Sequence, residues 1–231
     1  MDLPILSAGA AKGLVSALQQ AFLVDTGASI QGSFGAVGAM KEKLLAGEAC
    51  DVIILTAAMI SELTQNGHVL AGSSAPLGRV RTGIAVRSGE PLPDISDPDS
   101  LRKSLLAAKG IYFPDPKLAT AGIHFLNVLK QLDIDKDVGK YLRPFPNGAT
   151  AMMNLAQSTE PQLIGCTQIT EIKYTKGVAL VGLLPKDFEL ATVYSAAVAS
   201  QAAHPDIARR LVGLLSGQGS EALRAEGGFE I

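Results

Sequence analysis

The chain alternates short apolar runs with longer segments whose apolar residues recur every three to four positions. Residues 3–6 read as a strand. Residues 11–26 read as a helix, with Leu14, Leu18, Ala21 and Phe22 on one face and Gly27 as its stop. Residues 29–34 form the next strand. Residues 38–46 form a helix with Met40, Leu44 and Leu45 inward, closed by Gly47. Residues 52–55 are a nearly all-apolar buried strand, and residues 59–66 a short helix closed by Gly67. This βαβαβα order predicts a mostly parallel sheet covered on both faces. The rhythm then changes to a long strand over 78–87 and a polar, proline-rich stretch over 88–100. Helices are predicted over 101–107, 122–132 and 149–156, and strands over 110–113, 143–145, 163–167 and 178–183. A return strand over 194–198 and closing helices over 206–215 and 218–225 complete the chain. The long strand near residue 82 and the extended stretch near 186–194 read as two crossings between lobes. The expectation is a two-lobed α/β fold with a cleft between the lobes. The first lobe is discontinuous (1–81 and 192–231), and the second (82–191) is inserted into it.

Four of the predicted strands run into a turn of small residues and then straight into a helix. The turns are Ser7-Ala8-Gly9-Ala10-Ala11, Gly35-Ala36-Val37-Gly38-Ala39, residues 117–122 and residues 146–150. Each leaves backbone N–H groups bare at the positive end of a helix, where a small anion can bind without any charged side chain.

Composition narrows the class. Of 231 residues, 47% are hydrophobic and 18% charged, which excludes a disordered chain. The formal net charge is −2. No basic run or aromatic-basic interleaving occurs, so nucleic acid is not an expected partner. No apolar run approaches the roughly 18 residues that cross a bilayer. The chain starts Met1-Asp2-Leu3-Pro4, without a basic leader. It reads either as a periplasmic protein whose leader has been replaced or, if Met1 is native, as a cytoplasmic one. Cys50 and Cys166 read as buried free thiols. His68, His124 and His204 lie far apart, so no metal site and no cofactor are expected.

The runs Leu6-Ser-Ala-Gly-Ala-Ala-Lys-Gly-Leu14, Gly32-Ser-Phe-Gly-Ala-Val-Gly38 and Gly47-Glu-Ala-Cys-Asp-Val-Ile-Ile54 resemble the molybdate-binding protein family. So do Asp115-Pro-Lys-Leu-Ala-Thr-Ala-Gly122 and the tail from Leu215 to Phe229. The resemblance spans nearly the whole chain in order and spacing. It implies the periplasmic-binding-protein type II fold, a small anionic ligand and, if the protein is exported, an ABC transporter as partner. Three departures bear on the ligand. Ala10 stands where the family usually has a serine, Ala36-Val37-Gly38 where it has a serine run, and Gln168 where it has a tyrosine. The hydroxyl donors for a tetrahedral oxyanion are thus largely missing, and a desolvated anion without donors costs several kcal/mol. A planar or multi-carboxylate organic acid fits better than molybdate. The resemblance also extends to a divergent branch that includes aconitate isomerase, which implies an alternative activity: a proton shift between cis- and trans-aconitate.

The candidate ligand-binding residues are Gly9, Ala10, Lys12, Val37, Gly38, Thr120, Ala121, Ala149, Thr150 and Gln168, with Thr167 as a further donor. Lys12 in a first helical turn opposes the helix dipole, and a ligand carboxylate would account for it. The Gln168 amide can both donate to and accept from a carboxylate. If the chain is an enzyme, His124 or Lys12 is the candidate base. Asp115 reads as the residue that sets its own turn.

Overall fold

A computed structural model describes residues 1–231. The chain divides into two compact units, Met1–Val80 with Thr192–Ile231, and Arg81–Ala191.

In the first unit, β1 (Asp2–Ala8) leads through a 3₁₀ turn (Gly9–Ala11) into α1 (Lys12–Thr26). β2 (Ser29–Gly35) leads into α2 (Val37–Leu45), and β3 (Val52–Thr56) into α3 (Ala57–Gln65). β1 pairs in parallel with β2 on one side and β3 on the other. The return strand β9 (Ala191–Val198) pairs antiparallel with β3. Val52, Ile53, Ile54 and Leu55 are all fully buried, as a strand covered on both faces requires. α1 turns Leu14, Val15, Leu18 and Phe22 inward. It ends at Gly27, whose left-handed φ of 71° few other residues adopt without strain. α8 (Pro205–Ser216) and α9 (Glu221–Gly227) close the unit.

The chain leaves this unit along β4 (Ala75–Arg87). In the second unit, α4 (Pro98–Ala107) precedes β5 (Gly110–Pro114) and α5 (Thr120–Gln131). β6 (Leu142–Phe145) and α6 (Gly148–Gln157) follow, then β7 (Leu163–Gln168), α7 (Ile169–Tyr174) and β8 (Val178–Leu183). β5 pairs in parallel with β6 and with β7, and β4 pairs antiparallel with β7 and β8. On one sheet face Phe113 and Phe125 pack edge-on at 5.5 Å between centroids, among Ile84, Leu101, Leu105 and Val128. On the other, Met152 and Leu155 of α6 pack with Tyr112, Leu163 and Ile172.

The predicted strands and helices are present, and their ends move by a few residues. The exception is α7, which the sequence reading omitted. It is a six-residue helix rich in β-branched residues, abutting β7 with no glycine between them. Neither its length nor its propensity marks it.

Candidate functional site

In each unit the sheet order reverses beside its central strand: at β1, between β2 and β3, and at β5, between β6 and β7. Open α/β sheets bind ligands outside the carboxyl ends of the strands at such a point, because the following turns diverge there and leave a crevice. The candidate ligand-binding residues lie at or just beyond these ends, and His124 lies one helical turn further on.

In the first unit, Ala8 is in register with Gly35, so the turns that follow β1 and β2 leave the sheet side by side. Gly9, Ala10 and Val37 are buried there, with Lys12 and Gly38 partly exposed. The Lys12 ammonium lies 5.8 Å from the centre of the Phe34 ring. No side chain caps the first turn of α1 or of α2, and neither turn carries an acid.

In the second unit, Thr120 and Ala121 open α5, again without a side-chain cap. Asp115 Oδ1 instead accepts from the Lys117 and Leu118 amides at 2.7 and 2.9 Å, which sets the turn as expected. A Cβ on Gly122 would collide with the carbonyl oxygens of Pro114 and Asp115, so only glycine lets α5 start this close to β5. The contrast with other helices is informative. α3 is capped by Thr56, α4 by Asp97 and α6 by Asn147. Of the four predicted anion-binding turns, those at the heads of α1, α2 and α5 are bare and the one at the head of α6 is capped.

α6 is different. Asn147 Oδ1 accepts from the Thr150 amide at 2.8 Å, and Glu171 Oε1 accepts from the Ala149 amide at 3.3 Å. The Gly148 amide also donates to Glu171. The chain's own side chains thus occupy the amides of Ala149 and Thr150. The Thr167 hydroxyl, the donor the sequence had offered to a ligand, donates a hydrogen bond to Glu171 Oε2 at 2.5 Å. Burial pushes the Glu171 carboxyl from 4.5 up to about 7, against the lowering effect of these donors.

Gln168 ends β7 at 3% exposure, and neither its Oε1 nor its Nε2 has a hydrogen-bond partner. Thr82, opposite it in register on β4, and Thr170 are also buried, with unpartnered hydroxyls. Buried polar atoms without partners are rare and cost about 1–3 kcal/mol each. His124 lies in the second turn of α5, with Nε2 2.7 Å from the Phe188 carbonyl oxygen. In the neutral ring this puts the proton on Nε2 and leaves Nδ1 as the basic nitrogen.

The sequence reading missed Glu171 and Asn147. A signal for Glu171 existed: it is the only acid between Glu160 and Asp187, and it is flanked by Ile169 and Ile172. Its importance depends on α7, which was not predicted. Cys50 and Cys166 are buried and free.

The model of the bacterial extracellular solute-binding protein family matches residues 3–230. An aconitate isomerase from Pseudomonas sp. is 29% identical over 220 residues, covering 93% of this chain and 82% of that protein. Among solved structures, the periplasmic molybdate-binding protein of Azotobacter vinelandii superposes with a TM-score of 0.80 at 18% identity over 99% of both chains. The sulfate-binding protein of Mycobacterium tuberculosis superposes with a TM-score of 0.75 at 18% identity, over 99% of this chain and 86% of that one. These relationships confirm the resemblance read from the sequence and the periplasmic-binding-protein fold.

Proposed function

The chain belongs to the bacterial extracellular solute-binding protein family, and from that premise we propose that it is a receptor for a small organic anion of di- or tricarboxylate type. Gln168 carries this reading. Its buried amide lacks any partner at the carboxyl end of β7, and a carboxylate would accept from its Nε2. In the same unit, the uncapped first turn of α5 adds main-chain donors; the first unit, taken by itself, offers the uncapped first turns of α1 and α2 with the Lys12 cation. Ala10 and the Ala36-Val37-Gly38 turn present no hydroxyl to a tetrahedral oxyanion, which favours a carboxylate over molybdate. If the protein is exported, an ABC transporter is its partner.

Titration calorimetry with cis-aconitate, trans-aconitate, citrate and molybdate tests the proposal. Saturable binding of a carboxylate is expected. Gln168→Leu should weaken it about tenfold, the worth of one buried hydrogen bond at the upper end of its range, without destabilising the empty protein. Tight retention of molybdate with no carboxylate bound would refute it.

A second reading draws on the relative named aconitate isomerase. A base, Lys12 or His124 through Nδ1, would take a proton from the methylene carbon of aconitate. The electron pair would delocalise toward the carboxylate and the double bond. The proton would return at the far carbon, so nothing is oxidised and no group leaves. A proton NMR time course in D2O distinguishes the readings. Interconversion of cis- and trans-aconitate with deuterium uptake supports the enzyme, and binding without turnover supports the receptor.

A further inference from the structure

The buried acid at the head of α6 has no role in the binding scheme above. Glu171 is 5% exposed, and both its oxygens are engaged, Oε1 by the Ala149 amide and Oε2 by the Thr167 hydroxyl. The Gly148 amide donates as well, and Gly148 has no side chain at the one place where a Cβ would overlap Glu171 Oε2 and Thr167 Oγ1. This carboxylate therefore occupies the position that a bound anion takes at a helix N-terminus. Three residues before it lies Gln168, with an unpartnered amide, and immediately before it Thr170, with an unpartnered hydroxyl.

We propose that Glu171 is an internal stand-in anion, and that binding of an external anion beside it takes up a proton on its carboxyl. The proposal rests on the anion-receptor reading. An incoming carboxylate meets a like charge held in a poorly solvated place, and like charges that close cannot both remain ionised without penalty. The neighbouring elements do not relieve that penalty. α6 and β8 contain no ionisable side chain, and β7 contains only Cys166, which burial holds neutral; β4, paired with β7 and β8, carries Arg81 and Arg87, which are ion-paired with Glu189 and Glu90. The remaining ionisable groups nearby in the chain, Lys173 and Tyr174, lie on α7 itself. A proton on Glu171 removes the repulsion and gives the site an O–H donor. The group titrates where this matters, at about 7.

The test is calorimetry of the full chain with cis-aconitate, trans-aconitate, citrate and molybdate. It is run at several pH values in buffers of different ionisation enthalpy, on the wild type and Glu171→Gln. The probes' own carboxyls exchange protons equally in both forms, so the difference between forms reports Glu171. At pH 7 the wild type should take up about half a proton more per anion bound than the variant. Above pH 7 its Kd should weaken by up to tenfold per pH unit relative to the variant's. Carbon-13 titration of the wild-type glutamate carboxyls should show one resonance with a midpoint near 7, independently of any ligand or variant. Anion binding with equal proton counts in both forms, or a Glu171 midpoint at the ordinary glutamate value, overturns the coupling and leaves anion binding standing. No binding of any probe from pH 5.5 to 8.5 overturns both.

Discussion

Holding Glu171 in a buried site ties the stability of the protein to pH. The folded-state value of about 7 lies above the 4.5 of the free group. Between these values the folded chain holds a proton that the unfolded chain has released. The group's contribution is therefore fully present below pH 4.5, falls as pH rises, and is gone above about 7. The 4.5-to-7 interval corresponds to about 3 kcal/mol at 1.36 kcal/mol per unit. Much of it, about 2–3 kcal/mol, falls between pH 5 and pH 8. Glu171→Gln supplies the comparison. The amide is nearly the same size, its oxygen can accept from the α6 amides, and it does not titrate. Urea unfolding followed by circular dichroism at pH 5, 6, 7 and 8 measures both forms. The wild type should lose about 2–3 kcal/mol more than the variant across that range, and the variant should be the more stable at pH 8. Parallel curves for the two proteins would show that Glu171 ionises at its ordinary value, and that the donors around it outweigh burial.

Three further outcomes follow from the packing. Phe125→Ala empties a fully buried site against Phe113 and should cost about 3–5 kcal/mol in urea unfolding; a loss under 1 would mean the core collapses around the gap. Asn147→Ala removes the side-chain acceptor for the Thr150 amide and should cost about 1 kcal/mol, read as a lower urea midpoint at unchanged slope. The thiols should resist a disulfide-exchange reagent at pH 8 in the native protein and react on unfolding. Burial raises Cys50 to about 12 and holds Cys166 well above the ordinary thiol value, so fast labelling of either would contradict their placement.

Much of the fold is legible in the sequence because the period of apolar residues follows directly from helix and strand geometry. The four-residue run 52–55 has to be a strand buried on both faces, and Gly27, Gly47 and Gly67, each at positive φ, end the helices before them. The tight strand-to-helix turns were legible for a related reason: Gly9, Ala10, Val37 and Gly38 are small where a helix starts close behind a strand. α7 was not legible. Six residues are too few to show a helical period, and Ile169, Thr170 and Ile172 favour extended chain when judged alone.

The sequence by itself determined the order of strands and helices and the chemistry available at their junctions, because both depend on near neighbours along the chain. Only the tertiary structure decided which of those junctions are already satisfied. The heads of α1, α2 and α5 start without side-chain caps, while that of α6 is taken by Asn147 and by a carboxylate 22 residues from the Ala149 amide it accepts. Burial, hydrogen bonding and the proton affinity of an acid depend on what packs around it, and those neighbours are set by the fold and not by the adjacent residues.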